Sequence, residues 1–191
     1  MTSLRNSLAF VGLGVLTTLS ACANESPAQE NSELPMKLQS LVLEAVPSDI
    51  PHPLRVDFEG KVRLLGYDIT HSAGGAELIL YWQSLERLPK GWRLFTHLVD
   101  GQGQQVPFPN GNFDHVGPLR ELSPEGSVAL PPSRWIPGKV YVDRQTIKTP
   151  SGVLLPVSIV VGVWNGPHRL QVTSGNSDRS NQAVVTQLQS S

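Results

Sequence analysis

The chain predicts an all-β fold, an antiparallel β-sandwich of the immunoglobulin-like or jelly-roll kind. Three observations carry that expectation. Glycine and proline are frequent, 17 and 16 of 191 residues, and they punctuate short apolar runs. Those runs alternate with a period of two. In 76–84, Leu78, Leu80 and Trp82 fall on one face and Ile79, Tyr81 and Gln83 on the other. No stretch beyond residue 54 carries a convincing helical period. Two half-apolar sheets bury each other, so a sandwich is the natural solution.

The elements follow in order. Segments 54–59 and 61–70 flank Gly60 as two extended stretches or a hairpin. The alternating run 76–84 comes next, then 92–100 after a Leu-Pro-Lys-Gly turn. Asp100-Gly101-Gln102-Gly103 marks a hairpin loop with 104–108 as its return strand. Run 138–148 sets Val140 and Val142 opposite Tyr141 and Asp143. Run 156–165 is the strongest strand, with Val157, Ile159, Val161 and Val163 on one face. Asn165-Gly166-Pro167 turns the chain into 168–173, and 181–189 closes the domain. One piece does not fit a tight meander. Segment 109–136 is rich in Pro, Gly, Ser and Asn, and long loops of this kind inside compact domains are often functional.

The amino terminus has another character. Arg5 supplies a short basic region, and Leu8 to Leu19 form an apolar stretch broken by Gly12, Gly14 and two threonines. A membrane span needs roughly 20 apolar residues, so a secretory signal is expected in place of a transmembrane helix. Leu19-Ser20-Ala21-Cys22 resembles the lipobox of bacterial lipoproteins. The resemblance implies a signal peptide over 1–21, cleavage before Cys22, diacylglycerol on its sulfur, and acylation of the new amino terminus. Ala23 follows where lipoproteins kept in the inner membrane of many Gram-negative bacteria tend to carry Asp. By the same resemblance, Ala23 implies the outer membrane, facing the periplasm.

Cys22 is the sole cysteine, so an acylated chain has no thiol left for a disulfide and must rest on core burial. Residues 22–53 read as lipidated terminus and tether. Residues 23–33 are polar without apolar period, and 36–46 could make a short helix with Leu38, Leu41, Val42 and Ala45 on one side. An extended segment there is nearly as well supported. Pro47, Pro51 and Pro53 stop any helix. The sandwich domain is expected over 54–191. Without Arg5 the 15 basic residues become 14 against 16 acidic, a net of −2. No basic stripe appears, so nucleic-acid binding has no electrostatic basis.

A second resemblance spans about 62–172. Leu65-Gly66-Tyr67-Asp68 precedes Leu78-Ile79-Leu80-Tyr81-Trp82. Phe95-Thr96-His97-Leu98-Val99-Asp100 and Phe113-Asp114-His115 follow. Trp135-Ile136-Pro137-Gly138 precedes Val142-Asp143, and Val161-Gly162-Val163-Trp164 leads to Arg169-Leu170. This order is similar to a β-sandwich domain of bacterial envelope proteins that trails membrane glycosyltransferase-like or polysaccharide-related proteins. The resemblance implies a sandwich and an envelope setting. No glycosyltransferase membrane region is present, and the 118–132 stretch is longer than the pattern requires, so no activity and no catalytic residue are carried over.

His97, Asp114, His115 and Asp143, with Asp100, form the polar set worth testing as a site. His and carboxylate suit zinc or another divalent ion. Yet no H-x-H or H-E-x-x-H spacing occurs, and Asp114 and His115, adjacent in an extended chain, point opposite ways. A structural role is therefore favoured, with Asp114 and His115 pinning the long loop to the sheet and His97 beneath. No metal or cofactor is expected. No G-x-S-x-G elbow is present, and the acids Asp57, Glu59, Asp68 and Glu77 are expected on solvated edge strands. Of four tryptophans, Trp82 and Trp164 lie inside strong strands and are expected in the core. Trp92 and Trp135, at a strand start and a loop end, are the candidates for stacking against a sugar.

The sequence thus points to a lipid-anchored, non-enzymatic envelope protein. Its partners are the membrane, through acyl chains on Cys22, and an envelope protein or glycan. One rival is a carbohydrate-binding module in polysaccharide export or assembly. Another is a metal-dependent hydrolase using His97, Asp114 and His115.

Overall fold

The computed structural model describes residues 34–72, 74–107, 111–124, 126, 128–149 and 152–189. The expected signal peptide over 1–21, Cys22 and the expected tether residues 23–33 lie outside the described residues. Leu34–Ser191 forms one compact unit. A short helix α1 (Met36–Gln39) leads into β1 (Val42–Leu43), β2 (His52–Phe58), β3 (Val62–Ser72), β4 (Gly75–Ser84) and β5 (Arg93–Val99). A 3-10 turn (Pro132–Arg134) interrupts the long loop. Then come β6 (Val140–Lys148), β7 (Val157–Asn165), β8 (His168–Arg169), β9 (Val172–Ser174) and β10 (Ala183–Leu188).

The strands form two antiparallel sheets, as alternation predicts. The larger runs β1-β6-β4-β3-β2-β9 and the smaller β10-β7-β5, with β8 beside β7. Strands β2 and β3 are indeed a hairpin. Glu59 and Gly60 both take positive φ, and the Lys61 amide donates to the Phe58 carbonyl at 2.9 Å. The period-two pattern of β4 buries Leu78, Leu80 and Trp82 and leaves Ile79, Tyr81 and Gln83 half-exposed. Across the gap, Val157, Ile159, Val161 and Val163 of β7 are fully buried in the same core. Each such side chain contributes about 1.5–3 kcal/mol on burial.

Two features close the sandwich. The chain leaves the smaller sheet after β8, buries Leu170, and joins the larger sheet as β9 on β2. On the other side, residues 100–139 bridge β5 to β6. Val106 and Leu98 exchange one backbone bond, Phe113 donates to the Thr96 carbonyl at 2.9 Å, and Gly117 lies against the Arg144 carbonyl. Leu119, Leu130 and Trp135 from this loop are buried. The loop therefore packs as part of the core and covers the open edge of β5.

Several expectations change. Helix α1 is a single turn, because Val42–Leu43 pairs with Tyr141 and Val140 instead of continuing it. Residues 34–53 belong to the folded unit where a tether was expected up to 53, since Leu38 and Leu41 are buried. In the described part of the expected return strand over 104–108, residues 104–107, the pairing is one bridge, Val99 opposite Gln105. Strands β2, β3 and β4 lie inside the larger sheet, so Asp57, Asp68 and Glu77 are on its face and not at an edge. Asp57 instead makes a bidentate pair with Arg63 directly across β2–β3.

Candidate functional site

Strand β5 alternates across the smaller sheet. Leu94 and Leu98 enter the core, while Phe95 and His97 stand on the outer face. Gly162 of β7 lies opposite Phe95. A Cβ on Gly162 would sit 2.4 Å from the Phe95 ring, so the missing side chain is what lets the ring lie flat on β7. The ring stacks on the His97 imidazole at 4.9 Å, and the Arg169 guanidinium of β8 stands 4.9 Å above it. Trp164 is paired with Arg169 across β7–β8 and is half-buried.

These groups floor and wall a cleft of about 290 Å³, completed by Gln105, Asn112 and Asp114 from the long loop and by Gly166. Small-molecule sites begin at about 300 Å³. The cleft is thus of a size for one small ring-shaped ligand or the end of a longer one.

Asp114 holds the loop to β5. Its Oδ1 accepts the Thr96 backbone N–H at 3.1 Å, and its Oδ2 accepts the Asn112 Nδ2 donor at 3.1 Å. His97 Nε2 lies 3.2 Å from Oδ1. The Asp114 amide in turn donates to Asn112 Oδ1 at 3.0 Å. Burial pushes the Asp114 carboxyl up. The His97, Thr96 and Asn112 contacts outweigh it and hold the group below the usual carboxylate range. His97 Nδ1 is buried with no hydrogen-bond partner among the described residues.

The polar set read from sequence divides. His97 and Asp114 meet, as the loop-pinning role requires. His115 points to solvent. Asp100 caps its own turn, accepting the Gln102 and Gln104 amides. Asp143 lies between the sheets, where its Oδ2 accepts Arg120 Nη2 at 2.6 Å, Arg120 Nε at 3.0 Å, Gln145 Nε2 at 3.0 Å and Trp82 Nε1 at 3.4 Å. Among the described residues no three His, Cys, Asp or Glu side chains gather to hold a metal.

Neither sugar-stacking candidate lines the cleft. Trp135 is fully buried, stacked on Tyr141 at 4.4 Å and bonded through Nε1 to the Leu130 carbonyl. Trp92 is half-buried against the core. The tryptophan at the cleft is Trp164, which was expected inside. Phe95, Asn112, Gln105, Arg169 and the buried Arg120 were not singled out from sequence. Gly162, mid-strand in the most apolar run, was the available signal for a close approach. Asp143, inward on an alternating strand, was the signal for a buried cation. Comparisons with protein families, with curated proteins and with solved structures find no match for this chain.

Proposed function

We propose that this chain is a lipid-anchored, non-enzymatic binding protein of the bacterial envelope that holds a glycan in the cleft on the outer face of β5, β7 and β8. The observation that carries it is the cleft itself, about 290 Å³, whose lining includes Trp164 and the amide side chains of Gln105 and Asn112. An aromatic face next to amide donors and acceptors suits a sugar ring, which is apolar on its faces and polar at its rim. The lipobox-like segment ending at Cys22 and the likeness to envelope sandwich domains support the setting. In this reading the sandwich is immunoglobulin-like or jelly-roll, with the chain changing sheets between β8 and β9.

The hydrolase reading has one observation in its favour, the His97–Asp114 pair at the cleft wall. Its third member, His115, is exposed and turned away. Zinc titration of metal-free protein tests it: a saturable rise in melting temperature, lost in both His97→Ala and His115→Ala, would establish a metal site.

Two measurements test the main proposal. Mass spectrometry should find the mature protein starting at an acylated Cys22, and Cys22→Ser should release it from the membrane fraction. A glycan array probed with the protein should show selective binding that Trp164→Ala weakens at least tenfold. An array without any bound glycan overturns the ligand, and an unmodified terminus overturns the anchor.

A further inference from the structure

The cleft lining holds one carboxylate and one guanidinium among the described residues, Asp114 and Arg169, and the two are not paired with each other. Asp114 is the only carboxylate among its described lining residues, and its two oxygens are already engaged by Thr96, Asn112 and His97. Arg169 has no carboxylate within ion-pair distance among the described residues, and its guanidinium stands 4.9 Å over the Phe95 ring. Register places a second arginine nearby. Trp164 is the direct partner of Arg169 on β8 and of Arg93 on β5, but only Arg169 lines the cleft; Arg93 lines a small neighbouring pocket with Asp114 and Arg120. Arg93 likewise has no ion-pair partner among the described residues.

We infer that the cleft is selective for an acidic saccharide, a sugar ring seated against Trp164 with an anionic substituent paired by Arg169. The inference rests on the glycan-binding reading above and adds the charge of the ligand. The guanidinium fork matches a planar carboxylate or a sulfate ester in two parallel N–H···O bonds. Stacking on Phe95 holds that fork at the rim of the cleft with its outer edge free, so little ordering is needed on binding. A neutral sugar would keep the aromatic contact and forgo the charge-assisted pair.

Calorimetry on the full chain in detergent, at low salt, separates the outcomes. The ligands are tetragalacturonate, sulfated cellotetraose and neutral cellotetraose. The uronate, the sulfated sugar or both should bind at least tenfold tighter than the neutral one, and which of them does so names the anionic group. Arg169→Gln puts a shorter, neutral planar amide in place of the guanidinium and removes the charge. It should weaken acidic binding at least tenfold and neutral binding by much less, while Arg169→Lys restores part of the loss. Equal affinity for neutral and acidic sugars, or acidic binding untouched in Arg169→Gln, overturns the acidic ligand and leaves glycan binding standing. No binding of any of the three, together with an empty array, overturns both.

Discussion

Arg120 and Asp143 meet inside the sandwich, Nη2 to Oδ2 at 2.6 Å, with both side chains essentially removed from solvent. Arg120 comes from the long loop and Asp143 from β6, so one ion pair ties the loop to the larger sheet. The pairing is lopsided. Asp143 Oδ2 accepts every bond, while Oδ1, Arg120 Nη1 and Gln145 Oε1 have no partner among the described residues. Such a pair adds little net stability over a well-packed apolar replacement, but losing one member strands the other.

Asp143→Ala should therefore destabilise the domain by about 3–5 kcal/mol. Arg120→Met combined with Asp143→Leu should recover most of that loss. Denaturant melts of the single and double variants decide it. A single variant within error of wild type would mean the pair is solvated in solution.

The His97–Asp114 contact should make the loop sensitive to acid and not to neutral pH. The Asp114 carboxyl is held below its usual range in the folded chain. Its stabilising contribution is complete above the unfolded carboxylate value of about 3.9 and is lost as pH falls through the lower folded value. Amide exchange at Thr96, whose N–H donates to Asp114, should stay slow from pH 7 to 5 after correction for intrinsic rates. It should quicken only below about pH 4. Asp114→Ala should remove that dependence, speed proteolysis of the loop and lower stability by ~1–3 kcal/mol. Unchanged proteolysis in Asp114→Ala would show that other contacts pin the loop.

Gly162→Ala should disturb the cleft without unfolding the sheet. The added methyl would meet the Phe95 ring at 2.4 Å and push it from β7, and His97 and Arg169 both lean on that ring. Overpacking of this kind costs about 1–3 kcal/mol. Glycan binding should fall at least tenfold, and adding Phe95→Leu should restore stability but not binding. A Gly162→Ala variant with wild-type affinity would place the ligand elsewhere.

Sequence alone determined the class of fold and the course of most strands. Alternation marks a buried face wherever one side of a strand meets a core, and it did so in 76–84 and 156–165. It also separated His115 from Asp114, because neighbours in an extended chain point opposite ways. Tertiary structure decided what lies beside what. Trp164, expected in the core, stands half-buried at the cleft, because local position says nothing of which face another segment covers. The loop carries Trp135 into the core, while β7 turns Trp164 to a face left open beyond β8. Asp143 met Arg120 rather than His97 because Asp143 faces inward from the larger sheet while His97 stands on the outer face of the smaller one. Only the packing of the long loop across the gap between those sheets could bring an arginine 23 residues away to an inward-facing carboxylate.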